Sequence, residues 1–433
     1  MKNIRNLVLI LVTLTLMGLP AKAQKSDGDW EILFNGKDFT GWRHLNGNHK
    51  LDVQDGMIVG TTVPGEPNGF LCTEKEFGDF ILELDVSIDT TMNNSGIQFR
   101  SLSNLDYLNY RLHGFQMEVD PKPQRWSGSI YDEARRGWLY TTELNLPSKT
   151  AFKNNAWNHY RIECIGTSNR TWVNGVPVSH LIDDETVKGM IGLQMHSNNP
   201  NDPIPPGDHQ IRFKNIRIKT QNIKPSPPDD IFIVNLIPND LSEAEKRAGY
   251  RSLFDGKTAQ GLTGASNSTF PNSDWVIEQG TLTIKESKRN EKKSVFLKNP
   301  YAAFELKFDF RLAEGADSGV KYLLSKAEEN AESLEFQIQD DMLPGNVPRG
   351  KDLTALGSVK GLAESKQTIF SKRRIGLWSN AMIRVYPDNR VEHWINGFKM
   401  AEYKGRSHEK GFIMLENNGL SVSYRSIKIK ELR

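Results

Sequence analysis

The segment Asp79-Phe80-Ile81-Leu82-Glu83-Leu84-Asp85-Val86-Ser87-Ile88 indicates the fold class. Apolar residues stand at every second position from Phe80 to Ile88, and Ile81 is the only apolar residue between them. Alternate side chains of a strand share a face, so this period of two is typical of a strand buried on one side. Similar segments, separated by Gly, Asn and Pro, recur about a dozen times in each half of the chain. They predict two sheets packed face to face, in a sandwich or jelly roll.

The second half of the chain repeats the first. Six motifs recur in the same order at similar spacing, which indicates a tandem duplication of a unit of about 190 residues rather than a solenoid of short repeats. Both copies of one motif contain an Asn-Gly pair, Asn174-Gly175 and Asn396-Gly397, which predicts a hairpin turn. The paired motifs are 33–37 with 253–257, 53–56 with 277–280, 94–97 with 317–320, 115–120 with 336–341, 172–175 with 394–397, and 211–219 with 422–430.

The chain divides into four predicted parts. Residues 1–23 combine Lys2 and Arg5, an apolar run and Ala21-Lys22-Ala23, which is the pattern of a cleaved signal peptide. The apolar run is too short to span a bilayer. Residues 24–221 form the first domain and 249–433 the second. Between them, 222–248 form a Pro-containing linker with one short capped helix over 239–247.

Localisation and partners follow from the signal peptide and the composition. No cysteine lies near the cleavage site, and no later segment is apolar enough to cross a membrane, so we expect an exported protein, periplasmic or extracellular. Lys and Arg number 55 against 53 Asp and Glu, and this balance excludes a basic surface for nucleic acid. Two cysteines exclude a disulfide scaffold or a four-cysteine metal site. Cys72 and Cys164 lie in apolar segments, which favours two buried thiols over a bridge.

The segment 113–120 contains the candidate catalytic residues. On a strand, Phe115, Met117 and Val119 point into the core, whereas Glu118 and Asp120 share the other face. Two neighbouring carboxyl groups can have their pKa values pushed apart, so that one acts as acid and the other as base. An ordinary solvated strand face is the alternative interpretation of the Glu-x-Asp pattern.

Aromatic, basic and acidic residues crowd around this strand. Aromatic rings stack on sugar C–H surfaces, while Arg and carboxylates bind hydroxyl groups, so the cluster predicts a carbohydrate site. A salt-bridged surface loop is the alternative. No ligand-pair spacing of the metalloprotease kind occurs, and a divalent metal site of mixed His and carboxylate ligands stays open. The candidate substrate-binding residues are Gln98, Arg100, His113, Gln116, Trp126, Tyr131, Asp132, Glu133, Arg135, Arg136, Trp138 and His196.

A comparison of the two halves assigns the chemistry to the first. The repeat alignment sets Glu118 against Gln339, and glutamine cannot exchange a proton as glutamate does. The second half also lacks a counterpart of the 131–138 segment. We therefore expect the second domain to be a structural or glycan-binding partner.

These motifs resemble a known family. Residues 30–42, 94–100, 114–120, 130–138 and 157–161 resemble the motifs of the 3-keto-disaccharide hydrolase family, and the resemblance extends over 30–219 and, more loosely, 249–431. It implies a concanavalin A-like jelly roll, so that the expected architecture is all-β, with two tandem domains. It also implies an enzyme that cleaves glycosides oxidised to a ketone at C3, by hydrolysis or by elimination.

The implied chemistry gives roles to the candidate residues. A 3-keto group acidifies the hydrogen on C2, so that a base can remove it while an acid protonates the leaving oxygen. Glu118 and Asp120 are the candidate base and acid, and Arg135, Arg136 or a metal ion would hold the enolate. Two other functions remain open. One is an inert lectin-like module, because fold does not fix function. The other is an ordinary jelly-roll glycosidase. That class would carry a third acidic residue shortly after Asp120, and this sequence has none there.

Overall fold

A computed structural model describes residues 29–90, 94–197, 209–287, 292–342, 352–368, 371, 375–405 and 409–433. The predicted signal peptide, residues 1–23, lies outside these ranges. Strands dominate the described residues, as the period of two predicts. The strands are β1 (Trp30–Ile32), β2 (Trp42–Leu45), β3 (Lys50–Gln54), β4 (Met57–Thr61), β5 (Gly69–Phe77), β6 (Phe80–Ile88), β7 (Ser95–Leu102), β8 (His113–Val119), β9 (Ile130–Glu133), β10 (Gly137–Tyr140), β11 (Asn158–Ile165), β12 (Ser168–Val173), β13 (Val176–Ile182), β14 (Gly189–Met195), β15 (Gln210–Lys219), β16 (Val234–Asn235), β17 (Arg251–Ser252), β18 (Leu262–Thr263), β19 (Trp275–Glu278), β20 (Thr281–Ile284), β21 (Val295–Leu297), β22 (Phe304–Leu312), β23 (Asp317–Leu324), β24 (Leu334–Gln339), β25 (Ser379–Val385), β26 (Arg390–Ile395), β27 (Phe398–Lys404), β28 (Phe412–Leu415) and β29 (Val422–Glu431).

Helices are short in the described part of the chain. One α-helix, α1, spans Glu243–Arg247, and 3-10 helices span Thr142–Leu144, Leu146–Thr150 and Ala265–Asn267. The Ser242 hydroxyl accepts a hydrogen bond from the Glu245 N–H, and the Glu245 side chain accepts one from the Ser242 N–H, which together form a capping box. The predicted short capped helix is therefore confirmed, although it begins at Glu243 and not at 239.

The first domain is a sandwich of two sheets that are antiparallel except for the β13–β16 pair. Its nine-stranded sheet has the order β16-β13-β12-β11-β6-β15-β4-β3, with β1 paired to β15. Its seven-stranded sheet has the order β10-β9-β8-β7-β14-β5-β2. Strand β6 lies between β11 and β15, and Phe80, Leu82, Leu84 and Val86 are fully buried between the sheets. The alternation in the sequence thus reflects packing against the opposite sheet.

The second domain repeats this arrangement. An eight-stranded sheet has the order β19-β20-β29-β22-β25-β26-β27, with β17 paired to β29, and a five-stranded sheet has the order β18-β21-β28-β23-β24. Asn174-Gly175 and Asn396-Gly397 both have positive φ angles, 50° and 79° against 50° and 82°, as a two-residue hairpin turn of this kind requires. The predicted class, all-β with two tandem jelly-roll domains, is confirmed.

The linker packs against both domains. Strand β16 adds to the first domain in parallel with β13, whereas Glu245 of α1 forms an ion pair of 3.1 Å with Lys428 of the second domain. The domains also meet directly, because the Thr141 hydroxyl donates a hydrogen bond of 2.6 Å to the carbonyl oxygen of Gly397. The second domain therefore reaches the first domain beside the segment that follows β10.

The two cysteines are free thiols. Cys72 on β5 and Cys164 on β11 are both fully buried, and they belong to different sheets of the first domain. Burial raises the pKa of each thiol to about 12, so that neither is reactive at neutral pH. The interpretation as two buried thiols is confirmed.

No helix among the described residues is long and apolar enough to cross a membrane.

Candidate active site

Strand β8 separates core side chains from polar ones. Phe115, Met117 and Val119 are fully buried between the two sheets of the first domain. Gln116 and Glu118 point to the outer face of the seven-stranded sheet, as the period of two predicts. Both are nonetheless almost completely buried. The outer face is therefore covered at this point, and a solvated strand face is excluded for Gln116 and Glu118.

A chain of hydrogen bonds runs across this face from β7 to β8. The Ser101 hydroxyl donates to Oε1 of Gln98 at 2.8 Å, and Nε2 of Gln98 donates to Oε1 of Gln116 at 2.6 Å. Nε2 of Gln116 then donates to Oε2 of Glu118 at 3.1 Å. The network fixes the orientation of the glutamate side chain and leaves one of its carboxyl oxygens for another partner.

Glu118 has a strongly perturbed carboxyl group. Its pKa is raised well above the ordinary value, chiefly because the group is buried and also because the Asp120 and Glu133 carboxylates lie nearby. The hydrogen bond from Gln116 and the charge of Lys122 oppose this rise in pKa. A buried carboxyl group with a raised pKa is suited to accept and return a proton near neutral pH.

Asp120 is held differently from Glu118. Its Oδ1 accepts the N–H of Lys122 at 3.0 Å, and its Oδ2 accepts the N–H of Trp126 at 3.2 Å. Burial raises the pKa of Asp120, whereas these hydrogen bonds lower it. Both oxygens are thus occupied by backbone donors, which favour the ionised form.

Three further candidates are Glu133, whose carboxylate helps to raise the pKa of Glu118, and the histidines His196 and His113. Oε1 of Glu133 accepts hydrogen bonds from Arg111 at 2.6 Å and from Asn68 at 3.3 Å. His196 follows β14, and burial lowers its pKa to about 4, so that it is neutral at physiological pH. The His113 ring stacks on Tyr107 at 3.9 Å between centroids.

The aromatic candidates lie where the two domains meet. Tyr131 pairs with Gln116 across β9 and β8, and its ring contacts Trp138 with 5.1 Å between centroids. Trp126 lies 4.7 Å from Trp138 and 5.9 Å from Phe398 of the second domain, in edge-to-face geometry. These rings extend the hydrophobic core of the second domain to the edge of the candidate site.

The arginine candidates do not join Glu118. Asp132 pairs with Phe115, whose side chain faces the core, whereas Glu118 faces outward. The buried Asp132 carboxylate accepts hydrogen bonds from Arg135 at 2.7 Å and Arg136 at 2.6 Å, and Arg136 also pairs with Asp183 at 2.9 Å. The structure places these residues in a buried ion-pair network on the other face of the sheet.

Arg100 also turns away from the site. It lies at a β-bulge with a φ angle of 48°, and its guanidinium is fully buried. The guanidinium donates to the carbonyl oxygens of Gly78 and Gly166 and pairs with Asp79 at 3.1 Å. The bulge breaks the strand alternation, so that Arg100 and Gln98 point to different faces.

Sequence reasoning missed Gln194, Arg111 and Asn68. Gln194 lies on β14 and is almost completely buried, and neither polar atom of its side chain has a hydrogen-bond partner in the described part of the chain. In the sequence it alternates with Leu193 and Met195, and this alternation indicates that Gln194 lies on the face of the strand opposite to the core. Arg111 and Asn68 come from loops, for which no periodicity predicts a position.

The strand register corrects the alignment of the two halves. Gly96 faces Glu118 in the first domain, and Gly319 faces Gln337 in the second. The N–H of Gly128 donates to the carbonyl of Glu118 as that of Gly357 donates to Gln337, both at 2.8 Å. Gln337 therefore takes the place of Glu118, and the alignment with Gln339 was wrong by two residues. A shift of two preserves the alternation, so the hydrophobic pattern cannot detect it. Either alignment replaces the glutamate by a glutamine.

The corresponding face of the second domain carries ion pairs instead of an amide network. Lys321 takes the position of Gln98 and pairs with Glu416 at 2.5 Å. Glu335 takes the position of Gln116 and pairs with Lys360 at 2.7 Å. Each charge is neutralised by a neighbour, whereas Glu118 has no such pair among the described residues of the first domain. The two halves thus share a scaffold and differ in their chemistry at this face.

In the described parts of the chain, no three His, Cys, Asp or Glu side chains are arranged so that they could hold a metal ion.

Comparisons with known proteins agree on the family. A sequence model of the 3-keto-α-glucoside-1,2-lyase-like domain matches residues 29–219 and again 249–430. A 3-keto-disaccharide hydrolase of Bacteroides thetaiotaomicron is 24% identical over 231 residues, which cover 42% of this chain and 79% of that enzyme.

Solved structures align with single domains of this chain. A Parabacteroides distasonis protein, classed provisionally as a glycosyl hydrolase, is 22% identical with a TM-score of 0.39, over 46% of this chain and 100% of the other. A family 66 carbohydrate-binding module of Bacillus subtilis is 18% identical with a TM-score of 0.29, over 41% and 94%.

Proposed function

The chain belongs to the family of 3-keto-α-glucoside-1,2-lyase-like domains, and on this premise we propose that it is an exported enzyme that cleaves glycosides already oxidised to a ketone at C3. The first domain carries the reaction. The observation on which this proposal depends is Glu118, a buried carboxyl group with a raised pKa at the end of an ordered amide network.

The C3 ketone makes the hydrogen on C2 acidic, and the reaction depends on this acidity. A base removes the proton from C2, and the electron pair of that C–H bond forms a C2=C3 double bond while the C3 oxygen becomes an oxyanion. The oxyanion then returns its electron pair to re-form the ketone. A double bond forms between C1 and C2, and the bond from C1 to the glycosidic oxygen breaks. The leaving oxygen takes up a proton. Addition of water across C1 and C2 completes a net hydrolysis.

Glu118 is the base in this scheme. General bases work best when their pKa lies near the working pH, and burial shifts Glu118 towards that range. The proton that Glu118 gains is then available to the leaving oxygen. The negative charge of ionised Asp120 adds to the raised pKa of Glu118, and backbone N–H groups hold both oxygens of Asp120 in place. Gln98 and Gln116 hold the base in place.

Product analysis tests this function. The purified protein is incubated with a 3-keto-glucoside and with the unoxidised parent glucoside, with and without a chelator, and the products are resolved by mass. We expect cleavage of the keto form alone, and the product mass separates an enone from a hydrated 3-keto sugar. Cleavage of the parent would indicate an ordinary glycosidase, while sugar binding without any turnover would indicate a lectin.

Two variants connect the activity to the first domain. Glu118→Gln removes the base and should lower the rate of cleavage by about 10²–10⁴-fold. Glu335→Gln makes the same change on the corresponding face of the second domain and should leave the rate unchanged. Equal activity of wild type and Glu118→Gln would refute the assignment of the base.

A further inference from the structure

Gln194 stands out because its buried amide is unsatisfied. Its side chain is 1% exposed, and among the residues that the structure describes neither Nε2 nor Oε1 has a hydrogen-bond partner. The neighbouring Gln98 and Gln116 are both tied into the chain of hydrogen bonds that ends at Glu118. A buried polar group without a partner costs free energy, and in native proteins such groups call for a functional explanation. The amide is therefore a candidate for a contact made only when a ligand is bound.

Gln194 faces the same side of the sheet as Glu118. Its neighbour Leu193 pairs with Ile97, and both of these side chains are in the core, so Gln194 points outward. Gly96 lies between Gln194 and Glu118. Its strand, β7, pairs with β8, where Gly96 faces Glu118, and with β14, where Gly96 lies beside Gln194. Two strand spacings separate the backbones of Gln194 and Glu118 by about 10 Å.

The glycine between the two residues has a defined role. A Cβ atom on Gly96 would lie 2.3 Å from Cδ of Gln116. The missing side chain therefore lets the Gln116 amide lie over the backbone between Glu118 and Gln194. The Glu118 carboxyl group, the oriented Gln116 amide and the Gln194 amide therefore form a row. A polar ring can contact all three groups.

In the second domain, the residue that corresponds to Gln194 is charged and is paired with a neighbouring residue. The Ser95 hydroxyl donates to the carbonyl oxygen of Gln194 at 2.6 Å, and Ser318 donates in the same way to Glu416 at 2.8 Å. Glu416 therefore occupies the position of Gln194, and it is ion-paired with Lys321. Only the first domain leaves a neutral donor unpaired at this point.

We propose that Nε2 of Gln194 donates a hydrogen bond to the C3 oxygen of the substrate and stabilises the oxyanion that forms when Glu118 removes the C2 proton. This inference rests on the proposed function and deepens it. A neutral amide suits the task, because it can stabilise developing charge without being neutralised beforehand by a carboxylate. Arg135 and Arg136, the donors expected from the sequence, are paired with Asp132 on the other face.

Hydrogen exchange at C2 isolates this step. A 3-keto sugar that has hydrogen in place of the glycosidic oxygen at C1 can form the enolate but has no aglycone to release. In deuterated water, exchange at its C2 position reports enolate formation directly, by mass or proton NMR. We expect the wild type to catalyse this exchange and Glu118→Gln to abolish it.

The decisive variant is Gln194→Met, which keeps the length of the side chain and removes both polar atoms. Loss of one oxyanion donor should slow exchange and cleavage by about 10²–10³-fold. Gln337→Met, at a buried glutamine of the second domain, is the matched control and should leave both rates unchanged. Thermal unfolding confirms that the variants fold, and Gln194→Leu provides a second apolar replacement.

The outcomes separate the two proposals. Exchange and cleavage by Gln194→Met within threefold of the wild type would overturn the role of Gln194 and leave the proposed function intact. A wild type that neither exchanges C2 nor cleaves a 3-keto-glycoside would overturn both. Slow exchange in both Gln194→Met and Gln337→Met would indicate a general effect on the fold and would also overturn the specific role of Gln194.

Discussion

Gln116 donates a hydrogen bond of 3.1 Å from Nε2 to Oε2 of Glu118, and both side chains lie on the outer face of the same strand, two residues apart. This bond favours the ionised glutamate, whereas burial and the charge of Asp120 favour the protonated form. Because burial outweighs the hydrogen bond, the pKa of Glu118 is raised, and the opposing contributions make it sensitive to changes in either neighbour.

Asp120→Asn should shift the pH dependence of cleavage. Asparagine removes the negative charge that helps to raise the pKa of Glu118, while its side-chain oxygen can still accept one backbone N–H. The pKa of Glu118 then falls, so that the base stays ionised at lower pH. We expect the acidic limb of the kcat/KM profile to move to lower pH by on the order of one unit. An unchanged acidic limb would show that Asp120 does not act on Glu118 through its charge.

Glu118→Gln should stabilise the fold as the pH rises. The folded pKa of Glu118 is raised, so its contribution to stability is present below the unfolded pKa and is lost as pH rises through the folded pKa. Glutamine does not ionise and avoids this loss. The gain relative to wild type should grow by about 1.4 kcal/mol for each pH unit within that window.

Denaturant unfolding at several pH values measures this gain. Glu74→Gln, at an exposed glutamate of β5, is the control and should follow the wild type. Parallel curves for Glu118→Gln and wild type from acid to neutral pH would contradict a raised pKa for Glu118.

The fold and the position of the key carboxyl group could be predicted from the sequence. The alternation on β6 reflects packing between two sheets, and the alternation on β8 places Phe115 inside and Glu118 outside. These features depend on the period of two alone, which is local. The repeat could also be predicted, because duplicated motifs keep their order.

The remainder of the site depends on geometry that local patterns do not contain. The bulge at Arg100 rotates that side chain away from Gln98. Asp132, which pairs with Arg135 and Arg136, and Glu133 lie on opposite faces of β9. Residue type alone does not show which of these two acidic side chains faces Glu118. The substrate-binding roles proposed for these residues stay predictions, and the next variant tests them.

Asp132→Ala should destabilise the protein rather than weaken substrate binding. The carboxylate is fully buried between two guanidinium groups, and its removal leaves those charges unpaired. Breaking a buried pair in this way costs about 3–5 kcal/mol of the free energy of unfolding. Below the unfolding temperature of the variant, KM for the 3-keto-glycoside should match that of the wild type.

An exposed ion pair provides the control for Asp132. Asp388 pairs with Lys404 at 2.8 Å, and both side chains are about 60% exposed. Asp388→Ala should therefore leave the free energy of unfolding nearly unchanged. A rise in KM for Asp132→Ala with no loss of stability would support the substrate-binding role expected from the sequence.

Phe398→Ala should test whether the second domain positions the site of the first. Phe398 packs against Trp126, whose backbone N–H holds Oδ2 of Asp120 at 3.2 Å. Loss of the ring removes a buried contact and costs about 3 kcal/mol, and it frees Trp126 to move. Because small displacements of catalytic groups reduce rates strongly, we expect kcat/KM to fall about tenfold or more. The acidic limb of the pH profile should shift as well, since Asp120 influences the pKa of Glu118.

Phe398→Leu retains apolar packing and should recover most of the activity. Phe310→Ala, in the core of the second domain away from Trp126, separates stability from positioning: a loss of stability with an unchanged profile is expected there. The same unchanged profile in Phe398→Ala would confine the second domain to a structural role.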